Sequence, residues 1–100
     1  MFEEILPQEV ESLRLQGKVA SIIDVREADE YESGHIPGAV NISVNHIEEK
    51  LNLIDKDKEY ILVCHSGGRS SYASEVMADH GFKVKNMTGG MLAWTGEVDY

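Results

Sequence analysis

One hundred residues can bury one core and leave little room for a second, so the chain is read as a single domain over residues 1–100. Nine Lys and Arg against 18 Asp and Glu give a formal charge of −9, which disfavours nucleic acid and anionic membranes as partners. No apolar run is long enough to span a bilayer, and a lone cysteine excludes an internal disulfide. The Met-Phe-Glu-Glu start lacks the basic region of a secretory signal, so a cytoplasmic location is expected.

In chain order, Pro7 suits the first position of a helix that carries Val10 and Leu13 on one face and is closed by Gly17. Val19 to Val25 reads as a buried strand of a parallel sheet, with Asp24 near its carboxyl end. Asp24 and Arg26 admit two roles: at the rim of a site, supporting a loop or substrate, or as an ion pair holding strand to loop, the simpler of the two. Glu27 to Ser33 is a short acidic helix with Gly34 as its cap, and His35 is a general-acid candidate or, more simply, a hydrogen-bonded turn residue. Ala39 to Ile42 is a short strand. Ser43 then suits the N-cap of a helix carrying Val44, Ile47 and Leu51 inward, with His46 on its polar side. Asp55 to Lys58 is a charged, solvated turn.

The stretch that organises the rest runs from Glu59 to Gly81. Tyr60 to Val63 is a short buried strand ending in Cys64. His65, Ser66, Gly67, Gly68 and Arg69 lead into a helix expected to turn Ala73, Val76, Met77 and His80 to one face, with Gly81 as cap. A thiol at a strand's carboxyl end, on a glycine-bearing loop before a helix, occupies the edge where open α/β sheets bind ligands. Loop N–H groups can form an anion nest, the helix adds its positive end, and Arg69 adds a fixed charge with a planar donor fork. All three favour thiolate over thiol. Val84 to Met87 gives a further strand, and Thr88-Gly89-Gly90 turns into a last helix with Met91, Leu92 and Trp94, the Trp covering the core or walling the site. Strands alternating with helices imply a doubly wound α/β fold with a mainly parallel central sheet flanked by helices. The four histidines and one cysteine show no ligand spacing, so neither metal nor cofactor is expected.

The segment Cys64-His65-Ser66-Gly67-Gly68-Arg69-Ser70 resembles the active-site loop of the rhodanese family of sulfurtransferases. Two further stretches match in order. The first is Asp24-Val25-Arg26-Glu27 with Glu30-Tyr31, Gly34 to Ala39 and Asn41-Ile42; the second is Gly89-Gly90-Met91-Leu92-Ala93-Trp94. The resemblance implies a rhodanese-like domain in which Cys64 takes a sulfane sulfur from thiosulfate or a persulfide. The N–H groups from His65 to Ser70 would cradle that sulfur, and cyanide or a thiol, including a protein thiol, would remove it. With no second cysteine, the acceptor must be external.

Two rival readings remain. Phosphatases and arsenate reductases of related fold use a loop one residue longer between cysteine and arginine. Here four residues intervene and Ser70 stands where such an arginine would sit, so the smaller loop favours one sulfur atom over a tetrahedral oxyanion. Non-catalytic rhodanese-like binding modules form the other class, and the retained Cys64 argues against it.

Overall fold

The structure is a computed structural model that describes residues 1–18 and 21–100. Five strands form one sheet in the order β1-β5-β4-β2-β3, and every pairing is parallel. They are β1 (Glu3–Ile5), β2 (Ser21–Asp24), β3 (Val40–Asn41), β4 (Glu59–Val63) and β5 (Lys83–Met87). Among the described residues three α-helices accompany them: α1 (Pro7–Leu15), α2 (Ala28–Glu32) and α3 (Gly68–Asp79). The arrangement is the α/β fold with helices flanking a parallel sheet that the alternation of elements implied. Val19 and Ala20, the first two residues of the expected second strand, lie outside the described residues.

Alternation along the strands divides the core in two. Ile23, Tyr60, Leu62, Cys64 and Val84 face one side, where Ala73 and Met77 of α3 meet Ile47 and Leu51. Ile22, Ile61, Val63 and Met87 face the other, against Val10 and Leu13 of α1, Tyr31 of α2, Met91 and Trp94. Tyr60 to Val63 are all buried because β4 lies mid-sheet with layers on both faces, which explains its unbroken apolar run.

Four local expectations are corrected. Strand β1 was not expected: two of its three residues are glutamates, and it exists through pairing with β5, Glu3 opposite Lys85 and Ile5 opposite Met87. The helix expected after Ser43 is instead a series of turns followed by a 3-10 stretch over Glu48–Leu53. Ser43 Oγ does accept the Asn45 N–H at 3.2 Å, but it also donates to Glu27 Oε1, and the following bonds skip three residues. Ile47 and Leu51 still reach the core, while Val44 is only half-buried. The buried face of α3 is Ser70, Ala73, Ser74 and Met77; Val76 lies at its margin and His80 is exposed. The last helix is a four-residue 3-10 turn, Gly90–Ala93, with Trp94 extended beyond it. Among the described residues no helix is long and apolar enough to cross a membrane.

Candidate active site

Cys64 follows the last residue of β4, at the carboxyl edge of the sheet's middle strand, and is 1% exposed. The chain leaves the strand through His65 and Ser66, both exposed, and reverses at Gly67 with φ +109°, a conformation that any side chain would strain. That reversal turns the Gly67 N–H back onto Cys64 Sγ at 3.0 Å. Helix α3 starts at the next residue, so its amino terminus points at the thiol.

The loop is braced from below by the second glycine pair. Gly90 has φ +60°, and a Cβ there would lie 2.5 Å from the carbonyl oxygens of both Cys64 and His65. This close approach lets the Met91 N–H donate to Cys64 O at 2.8 Å and the Leu92 N–H to His65 O at 3.0 Å. Both carbonyls are thereby turned away from the thiol, leaving N–H groups to face it. Trp94 packs into the core layer shared with α1 and donates its indole N–H to Glu97 O at 2.9 Å.

Burial alone pushes the Cys64 thiol up. The Ser70 hydroxyl and the N–H groups of Ser70, Gly67 and Ser66 outweigh it and hold the thiol below its ordinary value. Ser70 is fully buried, with Oγ 3.3 Å from Sγ and 2.5 Å from Oδ1 of buried Asn86 on β5. One hydroxyl carries one proton. Directed at Asn86, it leaves Ser70 Oγ as an acceptor for a neutral S–H; turned to Sγ, it donates to the thiolate. Ser70 can therefore serve either protonation state.

Arg69 does not present a free donor fork. Its Nη1 and Nη2 donate to Glu30 Oε1 at 2.7 Å and Oε2 at 2.9 Å, a bidentate pair joining α3 to α2. The same contact holds the Glu30 carboxyl down at about 2 and raises Arg69. Asp24 and Arg26 form a buried ion pair, Nη2 to Oδ2 at 2.7 Å, and Arg26 also donates to Gly34 O at 2.8 Å. His35 is not a turn residue: it forms an isolated antiparallel bridge with Asp99, its N–H donating to Asp99 O at 2.9 Å and its carbonyl accepting the Asp99 N–H at 2.8 Å, and its ring stacks on Tyr31 at 3.7 Å.

Beside the Cys64 loop lies an open cavity of about 400 Å³. Arg26, Glu30, His65, Met91, Leu92 and Val98 line it, together with Ser33 and Gly34. Trp94 is not among them. Among the predicted site residues, Ser66, Gly67 and Ser70 bring N–H or O–H groups to the Cys64 sulfur, while His65 is exposed and lines the cavity. Gly68 and Arg69 form the first turn of α3, and no hydrogen bond links either to Sγ. Asn86 and Glu30 were not given roles from sequence. Asn86 left a trace, a polar residue at the core register of Lys83–Met87, two positions from buried Val84. Glu30 belongs to the Glu30-Tyr31 stretch that matches the family, but nothing local points to its partner, which is 39 positions away.

The family model for the rhodanese-like domain matches residues 6–97. The chain belongs to the rhodanese-like family. It is 42% identical over 96 residues to the Bacillus subtilis (strain 168) protein named "Putative sulfurtransferase YtwF", covering 91% of this chain and 93% of that one. It is 34% identical over 94 residues to the thiosulfate sulfurtransferase GlpE of Pseudomonas savastanoi pv. phaseolicola (strain 1448A / Race 6), covering 93% and 87%. The crystal structure of a rhodanese-like domain protein from Staphylococcus aureus superposes with a TM-score of 0.90 at 33% identity, over 98% of this chain and 97% of that one. These likenesses support a sulfurtransferase-type role for this rhodanese-like chain.

Proposed function

We propose that this chain is a sulfurtransferase that works by double displacement through a persulfide on Cys64. The Cys64 thiolate attacks the outer sulfur of thiosulfate or of a persulfide; the new S–S bond forms as the bond to sulfite or to the donor thiolate breaks. Cyanide, a small thiol or a protein thiol then attacks the outer sulfur and restores the Cys64 thiolate. This is covalent catalysis by an activated nucleophile, and it gives ping-pong kinetics. The lone cysteine supports an external acceptor, since no second thiol of the chain can resolve the persulfide. GlpE's name supports thiosulfate as one candidate donor.

The observation that carries the reading is the set of donors on one sulfur. A buried Cys64 receives the Gly67 N–H at 3.0 Å and has the Ser70 hydroxyl at 3.3 Å, and its thiol is lowered in spite of burial. A structural cysteine buried in apolar surroundings is raised and inert. Loop N–H groups around a developing sulfur anion act as an oxyanion hole does for oxygen.

Intact-mass measurement of protein incubated with thiosulfate or cysteine persulfide tests the reading. The expected result is a gain of one sulfur atom, removed by cyanide, in the parent. Cys64→Ser should show no gain while its melting temperature stays near the parent's. Sulfur loading in the serine variant would overturn the assignment of the nucleophile.

A further inference from the structure

The two guanidinium groups beside Cys64 are each taken by a carboxylate. Arg26 is paired with Asp24 and Gly34 O inside the core. Arg69 has both terminal nitrogens on Glu30, in the parallel two-bond geometry that satisfies a carboxylate fully. Glu30 is fixed there independently, because its Oε1 also accepts the Glu27 N–H at 3.0 Å and closes the capping box of α2. No lysine lines either cavity that flanks the Cys64 loop. Glu48 lines the second cavity beside Arg69, and Glu27 is close enough to act on the Arg69 charge. Carboxylates thus match or outnumber cations at the entrance to the thiol, on a chain of net charge −9.

Such an entrance discriminates among sulfur donors by charge. Thiosulfate brings two negative charges on a small body, and both arginines that line the flanking cavities are already paired with carboxylates. An organic persulfide brings at most one charge near the reacting sulfur. Its carbon body can lie against Met91, Leu92 and Val98, which form an apolar wall of the cavity that also holds His65. Leu92 is 69% exposed and Val98 39%, so both are open to a ligand.

We propose that Glu30 is a specificity-determining residue: by occupying the Arg69 fork, it disfavours dianionic thiosulfate and leaves the site suited to organic persulfides. The inference rests on the sulfurtransferase reading above and adds the donor class to it. The step balances without an added oxidant or reductant. The Cys64 thiolate bonds to the outer sulfur of R–S–SH, the original S–S bond breaks, and R–S⁻ leaves and takes up the proton. Cys64 carries the persulfide: its sulfur rises from the thiolate to the persulfide level as the leaving R–S sulfur falls from the persulfide to the thiolate level, and the transferred outer sulfur is unchanged.

The test is single-turnover loading of the full chain, followed by intact mass, with thiosulfate and with cysteine persulfide as separate donors. In the parent, cysteine persulfide should load faster than thiosulfate by about tenfold or more, and added salt should speed thiosulfate loading by screening repulsion. Glu30→Gln keeps the acceptor oxygen for the Glu27 N–H but loses the charge and frees Arg69. It should raise the thiosulfate-to-persulfide rate ratio about tenfold, the scale of one charge acting over roughly 10 Å at an effective dielectric of about 20. A merely structural role would slow both donors alike and leave that ratio unchanged, which would overturn the proposal. Thiosulfate loading that outpaces persulfide in the parent, or that falls with salt, would also overturn it without any variant. Loading by neither donor would sink the sulfurtransferase reading itself, a result distinct from both.

Discussion

At the scale of single residues, the chemistry depends on which group holds the last proton near Cys64. Ser70 Oγ lies between Sγ and Asn86 Oδ1, and its hydroxyl is the strongest influence that lowers the thiol against burial. Ser70→Ala should therefore raise the thiol pKa and slow alkylation at neutral pH. The rate of iodoacetamide labelling against pH measures it, with the parent's midpoint below the ordinary cysteine value of about 8.5. A parent midpoint at or above that value would make Cys64 an inert core thiol. Arg69 acts differently from what its place in the loop first suggests. Its fork is filled by Glu30, so it anchors the first turn of α3 and lends only a compensated charge to the sulfur.

At the scale of elements, the loop's shape is imposed by what lies beneath it. Gly90 lets the 3-10 turn over Gly90–Ala93 approach the Cys64 and His65 carbonyls. Gly90→Ala would place a methyl group 2.5 Å from two carbonyl oxygens at a positive φ. A destabilisation of about 2–4 kcal/mol is expected, from overpacking and left-handed strain together. Urea unfolding would measure it, and a loss of sulfur loading at temperatures where the variant stays folded would show that the loop itself is displaced. Helix α3 carries a second, opposite opportunity. Ser74 is fully buried and its Oγ is the one buried side-chain oxygen without a hydrogen-bond partner among the described residues. Ser74→Ala should stabilise the fold by up to about 1 kcal/mol, since it removes an unsatisfied hydroxyl and improves helix propensity. A lower urea midpoint for this variant would contradict that account.

At the scale of the molecule, Glu30 and Arg69 join elements that pack on opposite faces of the sheet. Tyr31 of α2 contributes to the layer with α1, while α3 covers the other side. The pair spans the carboxyl edge above Cys64 and couples acid stability to the site. Glu30 titrates at 4.5 in an unstrained chain and at about 2 when folded, so the fold favours its ionised form. That contribution is present above about pH 4.5 and is lost as pH falls toward 2. Both side chains are about one-third exposed, so solvent screens the pair and its worth near neutral pH is about 1 kcal/mol or less. The stability gap between parent and Glu30→Gln should accordingly narrow as pH drops through that window. A gap that widened in acid would mean that Glu30 is not held ionised by Arg69.

Patterns confined to neighbouring residues determined much of this. The unbroken apolar run of Tyr60–Val63 marked the central strand, Pro7 marked the start of α1, and the order of elements marked a parallel α/β sheet. Cys64 and the two glycine-bearing turns were legible for the same reason: a thiol next to backbone that needs positive φ is a local signature. What tertiary structure alone decided was every partnership made at long range. Three residues rich in glutamate become β1 only because β5 offers its edge. Val44, Ile47 and Leu51 have a helical spacing that the chain does not keep, because these residues reach the core from turns and a 3-10 stretch instead. Asn86 meets Ser70 across 16 positions, and Glu30 meets Arg69 across 39. Backbone propensity and side-chain spacing act over a few residues, whereas the charge and proton balance around Cys64 depends on which helices the sheet brings together.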